Sequence, residues 1–196
     1  MKVREIREKY PYLYETHLHT REASACAKNS AQEMVQAAKD YGYAGIFVTN
    51  HAWYGNTSVD RSLPWEEWVH GFCAPFYTAK AYGDQIGLSV FFGYESCYQG
   101  TEFLIYGVDE EWLLTHPEIK DATITEQLQL VREQGGLVMH AHPFREEAYI
   151  PRVRLFPELV DGVEGINATH SSHLSTSHND PRFDERAIAY AREHDL

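Results

Sequence analysis

Four of the six β-like runs in this 196-residue chain end on a side chain that binds metals, and that repeated ending constrains the fold more than any other feature. Runs rich in β-branched and aromatic residues lie at 12–16, 44–49, 88–93, 102–108, 136–139 and 162–166. The first leads into His17-Leu18-His19, the second into His51, the third into Glu95 and the fifth into His140-Ala141-His142. Residues i and i+2 of a strand face the same way, so each His-x-His pair can aim two imidazoles at one point. Imidazole is the commonest side-chain ligand of zinc, iron and manganese. In a parallel α/β barrel the ends of the strands gather around one axis, which would bring these residues together.

The segments between the runs have helical character. Ser30-Ala31-Gln32-Glu33 has the form of a capping box ahead of Met34, Val35, Ala37 and Ala38, and Gly42 lies near the helix end. Pro64 opens a second helix carrying Trp65, Trp68 and Val69 toward Ala81, expected to break or kink at Gly71 and Pro75. A third starts at Thr123-Ile124-Thr125-Glu126 and stops at Gly135-Gly136, and a fourth covers 182–193 with Ala187, Ile188 and Ala191 on one face. Between Glu95 and Glu102 lie only Ser-Cys-Tyr-Gln-Gly-Thr, too short for a parallel crossover, so the third and fourth strands are expected to form a hairpin.

Composition narrows the function classes. With 43% hydrophobic residues and no linker or low-complexity block, one domain over 1–196 is expected. The charged start, Met-Lys-Val-Arg-Glu-Ile-Arg-Glu-Lys, is unlike a signal peptide, and no apolar run reaches membrane-spanning length. Cys26, Cys73 and Cys97 form no Cys-x-x-Cys spacing, which fits reduced thiols in a cytoplasmic protein. A net charge of -12 argues against a nucleic-acid partner and suits a small anionic substrate held beside bound cations. Oligomeric state is not readable from the sequence.

At this point His17-Leu18-His19-Thr20, Thr49-Asn50-His51, Gly93-Tyr94-Glu95 and Ala141-His142-Pro143, in this order, resemble the polymerase and histidinol phosphatase (PHP) family. The resemblance implies an α/β fold, a distorted seven-stranded (β/α)7 barrel, and two or three divalent ions (Zn, Mn or Fe) that hydrolyse phosphate esters. Motif by motif, His17, His19, His51, Glu95 and His142 fall on the family's metal-ligand positions. The chain departs from the pattern in several places. Asn50 stands where the family has an acid, 102–108 contains no histidine, and Arg21 to Cys26 offers no Asp or His in the loop after the first motif. No Asp-x-His closes the chain, which leads to the expectation that a last strand and further ligands lie beyond Leu196.

Other residues carry open roles. His140 is an additional metal ligand, a partner of a ligand, or a core residue. Glu164, on the sixth run with Asn167, has the same choice. His170, His173 and His178 sit in the polar segment 167–180 and are expected to decorate a solvated loop, while His70, His116 and His194 have no ligand context. Arg145, three residues past His142, is the candidate substrate-binding residue, since a guanidinium holds phosphate oxygens in a bidentate fork; Arg21 and Lys28 are weaker candidates. The expected reaction is hydrolysis of a small phosphomonoester, with a metal-bound water as nucleophile between ions bridged by Glu95 and no side-chain nucleophile. Alternatives are a metal-holding regulatory module without turnover, a nuclease-type phosphodiesterase, or an amidohydrolase, which commonly carries a lysine at a middle strand end where this chain has Tyr106-Gly107-Val108-Asp109.

Overall fold

The structure, a computed structural model, describes residues 8–175 and 180–196. It is an α/β protein whose six strands are hydrogen-bonded in chain order. The chain packs as two compact units. Among the described residues, the first takes in those up to 52, 56–94 and 109–115, and the second 53–55, 95–108 and those from 116 onward. No helix among the described residues is long and apolar enough to cross a membrane.

In the first unit, β1 (Tyr14–Leu18) pairs in parallel with β2 (Gly45–Val48), and β2 with the start of β3 (Ser89–Tyr98). Helices α1 (Ala31–Asp40) and α2 (Trp65–Ile86) provide the apolar cover, with Ala31, Val35, Ala38 and Ala79 packed in one cluster with Leu18, Ile46, Val48, Leu88 and Val90. The expected capping box forms: the Glu33 amide donates to Ser30 Oγ at 3.2 Å, and the Ser30 amide donates to the Glu33 carboxylate at 2.7 Å. Gly45 is the residue that lets the sheet close here, because a Cβ would lie 2.8 Å from the Tyr14 ring and 2.9 Å from the Ser89 carbonyl. The expected break at Gly71 and Pro75 does not occur, and α2 runs through both. Proline removes one N–H and crowds the preceding turn, but Trp68, Val69, Phe72, Cys73 and Ala79 are all buried around it, so packing outweighs the local cost. Helix α3 (Glu110–Thr115) completes the unit, held by the Trp65 indole N–H donating to the Leu113 carbonyl at 2.8 Å.

In the second unit, the end of β3 turns into β4 (Thr101–Tyr106) through Gln99 and Gly100, with φ of 50° and 78°. Two positive φ values in a two-residue loop mark the hairpin expected from the short linker. Arg154 clamps this turn, donating to Thr101 Oγ1 at 2.8 Å and to the carbonyls of Tyr98 and Gln99. Strand β4 pairs antiparallel with β5 (Leu137–Ala141), and β5 in parallel with the short β6 (Gly162–Val163). The 3-10 turn Pro117–Lys120, α4 (Ile124–Glu133) and α5 (Arg182–His194) supply Ile119, Leu128, Val131, Ala187 and Tyr190 to the buried interior, beside Phe103, Ile105 and Val138 of the strands. Strand boundaries match the sequence reading within a few residues, except that β3 extends beyond Glu95 and β6 is only two residues long.

Candidate functional site

The first unit gathers three of the expected ligands. Along β1, Glu15 is paired with Ile46 and Leu18 with Val48, so β1 advances three residues while β2 advances two. Such a bulge re-aims the side chains that follow it. The His17 amide donates to Glu15 Oε1 at 3.0 Å within the irregular stretch. His17 Nε2 and His19 Nε2 lie 3.1 Å apart, and the His19 ring stacks on His51 with centroids 4.4 Å apart.

A buried polar network holds His19 and His51 from behind. Asn50 Oδ1 accepts from the Thr20 amide at 2.7 Å and from Ser24 Oγ at 2.9 Å, while Asn50 Nδ2 donates to Thr20 Oγ1 at 3.1 Å. An aspartate here would lack the Nδ2 donor, a structural reason for the amide where the PHP pattern has an acid. Ser24 Oγ gives its proton to Asn50, so its lone pairs face the His51 amide at 3.0 Å and His19 Nδ1 at 3.4 Å. This places the His19 proton on Nδ1 and leaves the Nε2 lone pair toward His17.

The second unit gathers the remaining ligands. Glu95 is fully buried, and its Oε1 lies 3.1 Å from His142 Nε2. Glu102 Oε2 lies 3.4 Å from the same nitrogen. Glu102 is a further candidate ligand that the sequence motifs do not mark; its one local signal is an acidic residue at the start of the fourth run, and the β4–β5 register sets it opposite Ala141, next to His142. His142 sits just past β5 with a φ of 30°, a left-handed conformation that non-glycine residues rarely adopt. Its amide donates to Glu164 Oε2 at 2.9 Å, and both Glu164 oxygens accept from Asn167 Nδ2 at 3.1 Å. Glu164 therefore holds the backbone of His142. Burial pushes the His142 imidazole down to about 4, against the pull of the Glu95 carboxylate.

His140 has different surroundings from His142. It is buried, its ring centroid is 4.8 Å from Phe103 and 6.3 Å from Phe156, and its Nδ1 has no hydrogen-bond partner. Of the three roles open to it, these neighbours fit the core residue. Burial, with His142 and Arg154 nearby, lowers its pKa to about 3.

Arg145 is buried rather than on an open rim. Its Nε donates to His170 Nε2 at 3.4 Å and its guanidinium to Thr169 Oγ1 at 3.3 Å. His170 Nδ1 meets Asp184 Oδ1 at 2.5 Å. The expectation that His170 decorates a solvated loop is therefore corrected: Asp184 on α5 and the 3-10 turn Ala168–His170 draw it inside, a long-range pairing that a polar local sequence hides. His173 is exposed, and His178 lies outside the described residues. Arg21 is exposed and ion-paired with Glu33 at 3.5 Å, and Lys28 is exposed.

The donor sets fit divalent metal. Metal–nitrogen bonds of about 2.0–2.1 Å put two nitrogens of a tetrahedral ion about 3.3 Å apart, close to the 3.1 Å between His17 and His19 Nε2. In the second unit a fully buried carboxylate faces a histidine that burial keeps neutral, an arrangement that a cation balances. The buried Cys73 and Cys97 thiols are pushed up, Cys97 to about 12, chiefly by burial, which removes them as nucleophiles at neutral pH.

No family model matches this chain, and no curated protein matches it in sequence. Solved structures do. A candidate metal-dependent phosphoesterase from Bifidobacterium adolescentis aligns over 94% of this chain and 85% of its own, with a TM-score of 0.59 and 13% identity. A two-domain Bacteroides vulgatus protein containing a predicted PHP-like metal-dependent phosphoesterase aligns over 93% of this chain, with a TM-score of 0.66 and 15% identity. This chain spans about half of the latter, 49% of its length. Over more than nine-tenths of its length, the chain has a fold similar to that of PHP-like metal-dependent phosphoesterases.

Proposed function

We propose that this protein is a metal-dependent phosphoesterase acting on a small phosphomonoester, with His17, His19, His51, Glu95 and His142 as metal ligands. The observation that carries the reading is the packing of two buried carboxylates, Glu95 and Glu102, against His142 Nε2 inside a PHP-like fold. The family's distorted seven-stranded barrel and a cytoplasmic setting with reduced thiols belong to the same proposal. So does the choice of a small phosphorylated substrate over a nucleic acid, which rests on the charge of -12.

Zinc, manganese or iron, when bound, supplies a Lewis acid that brings water toward ionisation at neutral pH and draws charge from the phosphate oxygens. The chain's own residues do the rest. Glu164 fixes the strained backbone of His142, so the imidazole keeps its direction without rearranging during turnover. Arg145 carries a fixed positive charge whose Nε is held by His170, itself aligned by Asp184, and whose Nη2 donates to Thr169 Oγ1, so the guanidinium is held in place to offer its charge and remaining N–H groups to phosphate oxygens. Elemental analysis of the purified protein, with a phosphomonoester panel assayed before and after chelation, tests the reading. Bound transition metal and chelator-sensitive release of phosphate are expected. Protein that takes up no metal at all would end the proposal.

A further inference from the structure

Beyond the expected ligands, the structure brings a thiol to the first cluster. Ligand atoms of His19, Cys26 and His51 all lie within 4.8 Å of one another, and all three residues belong to the first unit. Nothing in the local sequence signals this, since Cys26 lies seven residues past His19 without a partner cysteine. The loop that carries it is fixed on both sides: the Ala25 amide donates to the Asn56 carbonyl at 2.8 Å, and the Ala27 amide donates to the Ser24 carbonyl at 3.1 Å. Ser24, fully buried, is the same residue whose hydroxyl faces His19 Nδ1 and the His51 amide. One residue, Ser24, therefore touches the His19 ring and the His51 backbone through its hydroxyl and the Cys26 loop through its carbonyl.

We infer that Cys26 joins His19 and His51 as a sulfur ligand, making a His2Cys site that selects a thiophilic ion, zinc above all, over manganese and magnesium. The inference rests on the metal-binding reading above and adds to it the class of metal. Across a tetrahedral zinc, with Zn–N of about 2.0–2.1 Å and Zn–S of about 2.3 Å, donor atoms stand about 3.3–3.6 Å apart. With the donor atoms within 4.8 Å of one another, reaching that spacing calls for rotamer adjustment of the exposed Cys26 side chain and of the stacked imidazoles. Cys26 is exposed, whereas Cys73 is buried and Cys97 is partly buried, so it is the thiol most open to an incoming ion. Sulfur is a soft donor that zinc, cobalt and iron accept readily, and that manganese and magnesium, which prefer oxygen, do not.

The test uses cobalt(II) as a spectroscopic zinc substitute in the full chain. A thiolate-to-cobalt charge-transfer band in the near ultraviolet is expected, together with visible bands of a four-coordinate ion. The charge-transfer band should vanish in Cys26→Ser and persist in Cys73→Ser and Cys97→Ser. Zinc should also protect Cys26 from alkylation, read by peptide mass, while manganese should not. Zinc affinity should fall at least about tenfold in Cys26→Ser, the lower bound set by losing even a partner that acts through a ligand. Cys26→Asp should restore binding with the preference moved toward manganese. Cobalt bound without the charge-transfer band, or with a band that survives Cys26→Ser, overturns the sulfur ligand and leaves the metal-binding reading standing. A chain that binds neither cobalt nor zinc overturns both.

Discussion

The two His-x-His pairs have the same spacing and opposite outcomes. His17 and His19 turn their Nε2 atoms to within 3.1 Å of each other. His140 and His142 diverge, one beside Phe103 and Phe156 and the other toward Glu95 and Glu102. The difference lies in the backbone. The first pair brackets the end of a bulge in β1, His17 within it and His19 after it, and the second straddles the end of β5, where His142 adopts a φ of 30°. Alternation along a strand predicts side-chain direction only while the strand lasts. One residue past its end, the local φ and the partners of the amide decide.

That contrast predicts which histidines a metal needs. The largest effect is expected for Glu95→Gln and His142→Ala, each lowering metal affinity and phosphomonoester turnover by at least about 100-fold, the upper range for losing a mere partner of a ligand. His19→Ala should match them. Isothermal titration with zinc gives the affinities, and near-normal binding by His142→Ala would remove it from the ligand set.

Next in size is a pH effect on the metal-free protein. Burial holds His140 at about 3 and His142 at about 4, below the ordinary histidine value of about 6.5. Unfolding returns both to that ordinary value, so below it the unfolded chain binds more protons than the folded one. Stability is then complete above about pH 6.5 and is lost as the pH falls toward 4, with about 1 kcal/mol per histidine lost between pH 6.5 and 5.5. Urea titrations at these two values measure it. A stability that stays flat or rises on acidification would show that these imidazoles charge normally in the fold.

A smaller loss is expected at Arg145. Arg145→Lys keeps the charge but discards the planar fork, so kcat/KM should fall about tenfold with metal content unchanged. His170→Leu, which removes the partner of Arg145 Nε, should do the same to a lesser degree. Equal kinetics in both variants would place Arg145 in a purely structural role. The smallest effect is expected for His140→Leu: zinc affinity unchanged, stability altered by less than about 1.5 kcal/mol, and the acid sensitivity above cut by half. A loss of zinc comparable to that of His142→Ala would erase the contrast between the two members of the pair.

Much of this molecule is written locally. The Ser30 and Thr123 capping boxes, the hairpin forced by six residues between Glu95 and Glu102, and the strand runs that lead to His17, His51 and Glu95 all appear where short-range chemistry puts them, although β3 continues past Glu95 to Tyr98. These features need only neighbouring residues, because caps and turns are satisfied within a few positions of the chain. The resemblance to PHP proteins was legible for the same reason, as each of its motifs is a short stretch at a strand end.

What the sequence alone determined was therefore the kind of element at each stretch, and the residue types at the strand ends that make a metal site chemically possible. The tertiary structure decided which of those residues meet. Only packing brings Glu102 beside His142, sends His140 among aromatic rings, draws His170 inward to Asp184 and Arg145, and sets Cys26 beside His19 and His51. Helix α2 runs through Pro75 because the burial of Trp68, Phe72 and Cys73 outweighs a local defect that the sequence, read by itself, counts as a break. Each of these depends on contacts between residues distant in the chain, and their energies enter only when the chain has closed upon itself.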